Sequence, residues 1–118
     1  MQEIVERYLA AWNEKDGAKR RELVDALWAE DGSYTDPLAD AQGRAEIDGL
    51  IGAVQQQFPD FVFTLGGAVD AHHEQARFTW HLGPAGAPEP VVIGFDVAVL
   101  DGGGQLARVY GFLDKVPG

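Results

Sequence analysis

The hydrophobic period of this sequence changes at Pro59, and the change limits the folds open to it. Before that residue, apolar side chains return at steps of three and four, which places them on single faces of helices. Ile4, Val5, Tyr8, Leu9 and Trp12 form the first stripe. Leu23, Val24, Leu27 and Trp28 form a second, expected to end before Asp31-Gly32, and Ile47, Leu50, Ile51, Val54 and Phe58 form a third after Gly43-Arg44. Pro59 disfavours continuation because it lacks an amide hydrogen and restricts the residue before it. After it the alternation is that of strands: "FVFTL", "QARFTWHL", "VVIGFDVAVL" and "QLARVYGFL". A brief strand is also expected at Ser33 to Thr35, and "DGGGQ" reads as a tight hairpin between the last two long strands. Three helices followed by a curling antiparallel sheet make an α+β domain, and 118 residues are the size of one domain, 1-118.

Composition narrows the function. The chain has no cysteine, so thiolate chemistry, disulfides and cysteine zinc sites are excluded. A formal charge of -10 repels phosphate backbones and anionic lipid surfaces, so no nucleic acid or membrane partner is expected. The single basic cluster, "AKRRE", reads as solvated helix surface. The first residues lack a basic n-region and no apolar run is long enough to span a bilayer, so a cytoplasmic protein is expected. The three histidines form no zinc triad, the glycine run lacks the lysine and helix of a phosphate loop, and Ser33 has no evident base. No metal and no cofactor are expected.

The third long strand is apolar on both faces, with Val91, Ile93, Phe95, Val97 and Val99 on one and Val92, Ala98 and Leu100 on the other. A solvated outer face should alternate with polar residues. Helices can cover one face and a second copy of the chain the other. A homodimer is therefore expected through some of Val91, Ile93, Phe95, Leu106 and Tyr110.

Three residues stand out for chemistry. Asp96 lies within that strand, where a bare carboxylate is costly; it is either paired, with Arg77 on the preceding strand as the candidate partner, or protonated, or at a solvated cavity. Tyr8 on the first stripe is either a core phenol bonded to a backbone carbonyl or a donor aimed into a cavity. Asp36, before Pro37, is either a turn residue or a carboxylate at a pocket mouth. Trp12, Trp28, Phe58 and Trp80 are expected to wall any pocket, with His81 and Arg77 as polar lining.

The order of elements, together with "YLAAWNEKD", "LWAEDGSYTDP", "GRAEI", "FPDFVF" and "GFDVAVLDGGGQLARVYGFLD", resembles the SnoaL-like branch of the nuclear transport factor 2-like superfamily. That resemblance implies a cystatin-like cone, a curved sheet wrapped around helices with an apolar interior, commonly dimerising through the outside of the sheet. Within the superfamily the comparison with ketosteroid isomerase implies roles for three positions. Asp36 would be the base, Tyr8 an oxyanion donor, and Asp96 a neutral carboxylic acid donating beside Tyr8. The implied activity is an isomerase or polyketide cyclase type of proton transfer on a small apolar carbonyl compound. The alternative is a non-catalytic small-molecule-binding or assembly domain, which the superfamily also contains.

Overall fold

The computed structural model describes residues 1–117. Helices α1 (Gln2–Asn13), α2 (Gly17–Leu27) and α3 (Arg44–Gln57) are interleaved with strands β1 (Trp28–Asp36) and β2 (Ala39–Gln42). Strands β3 (Phe61–Leu65), β4 (Asp70–His72), β5 (Gln75–Pro84), β6 (Val92–Leu100) and β7 (Leu106–Lys115) follow. The sheet runs β2-β1-β7-β6-β5-β3, with β4 paired to β5, and curves around the helices in the α+β arrangement expected. The four long strands lie where the alternation put them.

Each helix buries the stripe its periodicity defines. Val5, Tyr8, Leu9, Ala11 and Trp12 of α1 and Ile47 and Ile51 of α3 go inward, against Phe78, Trp80 and Leu82 of β5 and Val92 and Ala98 of β6. At roughly 25 cal/mol per Å² of apolar surface, this layer supplies most of the drive to fold. Polar pins fix the helix ends. Asn13 Nδ2 donates to the Phe63 carbonyl at 2.8 Å and its Oδ1 accepts from the Phe63 amide at 2.7 Å, tying the end of α1 to β3. Arg20 donates to Asp48 at 2.8 Å and to Gln55 Oε1 at 2.9 Å, while Gln55 Nε2 donates to the Trp12 and Glu14 carbonyls. The "AKRRE" segment is thus not wholly a solvated surface: Arg20 cross-links α2 to α3.

Two further expectations change. The sheet is not purely antiparallel, because β1 runs parallel to β7. The first strand enters from the helical half of the chain, and the free edge it meets belongs to the last strand. In addition, α2 stops at Leu27, and Trp28 is extended, with φ -94° and ψ 144°. Its indole is fully buried. A residue at that boundary satisfies both the helical stripe and the strand alternation, so periodicity alone misassigns it. Strand β1 consequently spans nine residues, far beyond Ser33 to Thr35, and pairs with β2, a strand the alternation did not reveal.

Candidate active site

The strand alternation sorts the candidate residues before any distance is measured. On β5, Ala76, Phe78, Trp80 and Leu82 are buried, so Arg77, Thr79 and His81 face the other side of the sheet. Phe78 pairs with Asp96 and Arg77 with Val97, which places Arg77 and Asp96 on opposite faces. Arg77 instead meets Asp70 at 3.0 Å on the outer face. His81, opposite Ile93 and packed beside Gly66, is also outside. Neither residue lines the interior: a single register step decided the matter.

Between the helices and the inner sheet face lies a cavity of about 360 Å³, walled by Trp12, Phe58, Phe63 and Trp80, with Leu82 and Val92 below and Leu38, Val116 and Pro117 around it. Tyr8, Tyr34, Asp36 and Gln57 supply its polar side chains, and among the described residues no lysine, arginine or histidine lines it. Trp28 does not reach the cavity; its ring backs Tyr8, with centroids 6.2 Å apart. Trp80 lies flat over Gly94, where any Cβ would overlap the indole, so the missing side chain makes room for this wall.

Tyr8 and Asp96 meet. The Tyr8 hydroxyl donates to Asp96 Oδ2 at 2.8 Å, across from α1 to β6. Neither the backbone-carbonyl partner for Tyr8 nor the Arg77 partner for Asp96 is realised. Asp96 is only 1% exposed and its Oδ1 has no hydrogen-bond partner. Burial pushes the Asp96 carboxyl up to about 7, with the Asp36 charge adding to the rise and Tyr8 and Trp80 opposing it. Desolvation likewise raises the Tyr8 phenol well above its ordinary value, reinforced by Asp96, so it is a donor throughout the neutral range. Asp96 itself does not line the cavity but sits behind Tyr8.

Asp36 proves to be both of the things its sequence context offered. Its Oδ1 accepts from the Leu38 amide at 2.8 Å, the Asx turn that joins β1 to β2, while its Oδ2 accepts from the Tyr34 hydroxyl at 2.7 Å at the cavity. Tyr34 was not singled out from the sequence. Positions two apart on a strand share a face, so the nine-residue length of β1, had it been legible, would have placed Tyr34 beside Asp36. The Tyr34 phenol is also pushed up, by burial first and then by Asp96 and Asp36.

Gly111 of β7 stands opposite Asp96 on the inner face. A Cβ there would lie 2.9 Å from Asp96 Oδ1, 3.1 Å from Asp36 Cβ and 3.3 Å from Tyr34 Oη. One Asp96 oxygen, the Tyr34 hydroxyl and the Asp36 Cβ therefore border one small gap, and the Asp36 carboxyl reaches it through Tyr34. Among the described residues, no cluster of three or more histidine, aspartate or glutamate side chains could hold a metal ion.

Comparison with known proteins agrees with this architecture. Residues 5–109 match the SnoaL-like domain family. A crystal structure from Agrobacterium tumefaciens, described as a candidate isomerase of the SnoaL-like family, is 42% identical, covers 96% of each chain and superposes with a TM-score of 0.91. A candidate polyketide cyclase from Sinorhizobium meliloti shares the fold at 17% identity, with 92% of this chain and 93% of that one covered and a TM-score of 0.72. A SnoaL-like protein of unknown function from Burkholderia thailandensis shares it at 12% identity, 95% and 92% coverage and a TM-score of 0.73. No curated protein matches. The chain belongs to the SnoaL-like family.

Proposed function

We propose that this protein is an isomerase or cyclase that acts by proton transfer on a small apolar carbonyl compound, without metal or cofactor. The observation that carries the reading is that a fixed carboxylate, Asp36, and a phenol donor, Tyr8, open onto the same apolar cavity. Asp36 takes a proton from the carbon next to the carbonyl. Tyr8 turns its hydroxyl from Asp96 to the ligand oxygen as negative charge develops there. Asp96 acts through Tyr8 instead of touching the ligand: a neutral acid behind the phenol can lose that hydrogen bond without leaving an unpaired buried charge. With no cationic side chain on the wall among the described residues, the ligand carries no negative charge, because an anion would enter a low-dielectric site already holding Asp36.

The rival reading is a non-catalytic binding domain. It is favoured by the commitment of both Asp36 oxygens and of the Tyr8 hydroxyl to internal hydrogen bonds. One experiment separates the two. Small enones and apolar ketones are screened by thermal shift, and exchange of the α-proton of each binder in ²H₂O is followed by NMR. Asp36→Asn should retain binding and slow exchange by roughly a hundredfold to ten-thousandfold. Full exchange by D36N leaves Asp36 as the turn residue alone.

We also propose a homodimer through the outer sheet face. Ile93, Phe95 and Val97 lie there beside Tyr110 and Phe112, which are 43% and 56% exposed. Leu106, expected in that contact, is instead fully buried on the inner side.

A further inference from the structure

The unpartnered oxygen of Asp96 is the polar atom of the site that the proposed reaction leaves unexplained. A buried carboxyl oxygen without a partner is costly if it must accept, and much less so if it carries a proton and points it at an acceptor. The acceptor is defined by what surrounds the gap at Gly111. Helix α1 offers Tyr8, but its hydroxyl already donates to Oδ2; β5 offers Phe78 and Trp80, of which the Trp80 indole N–H is a donor that favours the Asp96 anion and neither has a side-chain acceptor. Strand β7 offers Gly111, with no side chain at all, and β1 offers Tyr34 and Asp36. Of these, the Tyr34 oxygen is the one beside the gap with a lone pair to spare, since its single proton is used on Asp36 at 2.7 Å.

We propose that Tyr34 is a positioning residue that links the two carboxyls across the gap left by Gly111. It accepts a hydrogen bond from Asp96 Oδ1 through one water, the two oxygens not being in direct contact, while donating to Asp36 Oδ2. A hydroxyl has one proton, so its direction decides the protonation of both neighbours: the group it donates to is an acceptor, and the group it accepts from is a donor. Tyr34 therefore holds the shared proton on Asp96 and keeps Asp36 free to receive one from the ligand. The chain Tyr8 to Asp96 to Tyr34 to Asp36 is then a single polarised series, with Gly111 as the opening through which it passes. The raised Asp96 carboxyl and the contribution of the Asp36 charge to that rise agree with this direction. The catalytic meaning of the link rests on the proton-transfer reading; its existence does not.

The test therefore needs no substrate. The protein is labelled with [4-¹³C]aspartate, the Asp96 carboxyl signal is assigned by its loss in Asp96→Asn, and its midpoint is followed by NMR across the pH range. Removing an acceptor from the neutral acid favours the anion, so Tyr34→Phe should lower the Asp96 midpoint by about one pH unit, the size of one hydrogen bond. A tyrosine that merely filled space would leave the midpoint unchanged, and one that donated to Asp96 would raise it on removal; either result overturns the link. Should Y34F not fold, Gly111→Ala wedges a methyl between the two oxygens with Tyr34 and Asp36 intact. It should also lower the midpoint, and an unchanged or higher value again overturns the proposal. Loss of exchange activity in D36N, or its persistence, bears on the proton-transfer reading and leaves these titrations standing.

Discussion

Tyr8 Oη and Asp96 Oδ2 are 2.8 Å apart although 88 positions separate them in the chain. The bond ties the first helix to the middle of the sheet inside the most buried part of the molecule, where it holds Asp96 Oδ2. A carboxyl so enclosed is held by a phenol rather than by a cation, which is why burial prevails over partnership and its affinity for a proton rises.

That shift makes stability depend on pH in the direction opposite to an ordinary salt-bridged aspartate. The folded carboxyl titrates at about 7 against 3.8 for the free side chain, so the native state binds the proton more tightly. The stabilisation is complete below the unfolded pKa and is lost as pH rises through about 7, a swing on the order of 4 kcal/mol. Asp96→Asn, which keeps an acceptor for Tyr8 and cannot ionise, should remove this component. Urea unfolding of both proteins at a series of pH values checks it: the difference in stability should tilt toward D96N as pH rises, and parallel curves would contradict the assignment.

Gly94 underlies Trp80 so closely that a Cβ cannot be added without moving the indole. Gly94→Ala should therefore cost about 1–3 kcal/mol by overpacking. Because Trp80 also forms a cavity wall, the displaced ring should enter the cavity and weaken binding of any apolar ligand. Urea denaturation and ligand-induced thermal shift measure the two effects. A variant as stable as the parent, with unchanged ligand shift, would show that the wall is not fixed from beneath.

The proposed dimer face can be broken without touching the interior. Phe112 pairs with Phe95 on the outer side of β7 and is 56% exposed. Phe112→Glu should place a like-charged pair across a two-fold contact and shift the sedimenting species from dimer to monomer at tens of micromolar, with the cavity and its ligand shift retained. Sedimentation of the parent protein as a monomer would remove the contact.

Much of this architecture is legible in the sequence because it depends on local periodicity. The three helical stripes, the four long strands and the break at Pro59 follow from which side chains must avoid water, a requirement that acts within a few residues. The identities of Tyr8, Asp36 and Asp96 as unusual residues are legible for the same reason: each is polar where its neighbours are apolar or turning. Their relations are not. Whether Arg77 or Tyr8 meets Asp96 depends on a single step of β5–β6 register, and a step of one reverses every face. Trp28 reads as helical because its indole is buried in either backbone conformation, and the parallel pairing of β1 with β7 arises between segments at opposite ends of the chain. Tyr34, Gly111 and the gap between the carboxyls exist only where β1, β6 and β7 lie side by side. Burial is decided locally, but the distance between two buried polar groups is decided by how separate elements pack, and the chemistry proposed for this protein depends on that distance.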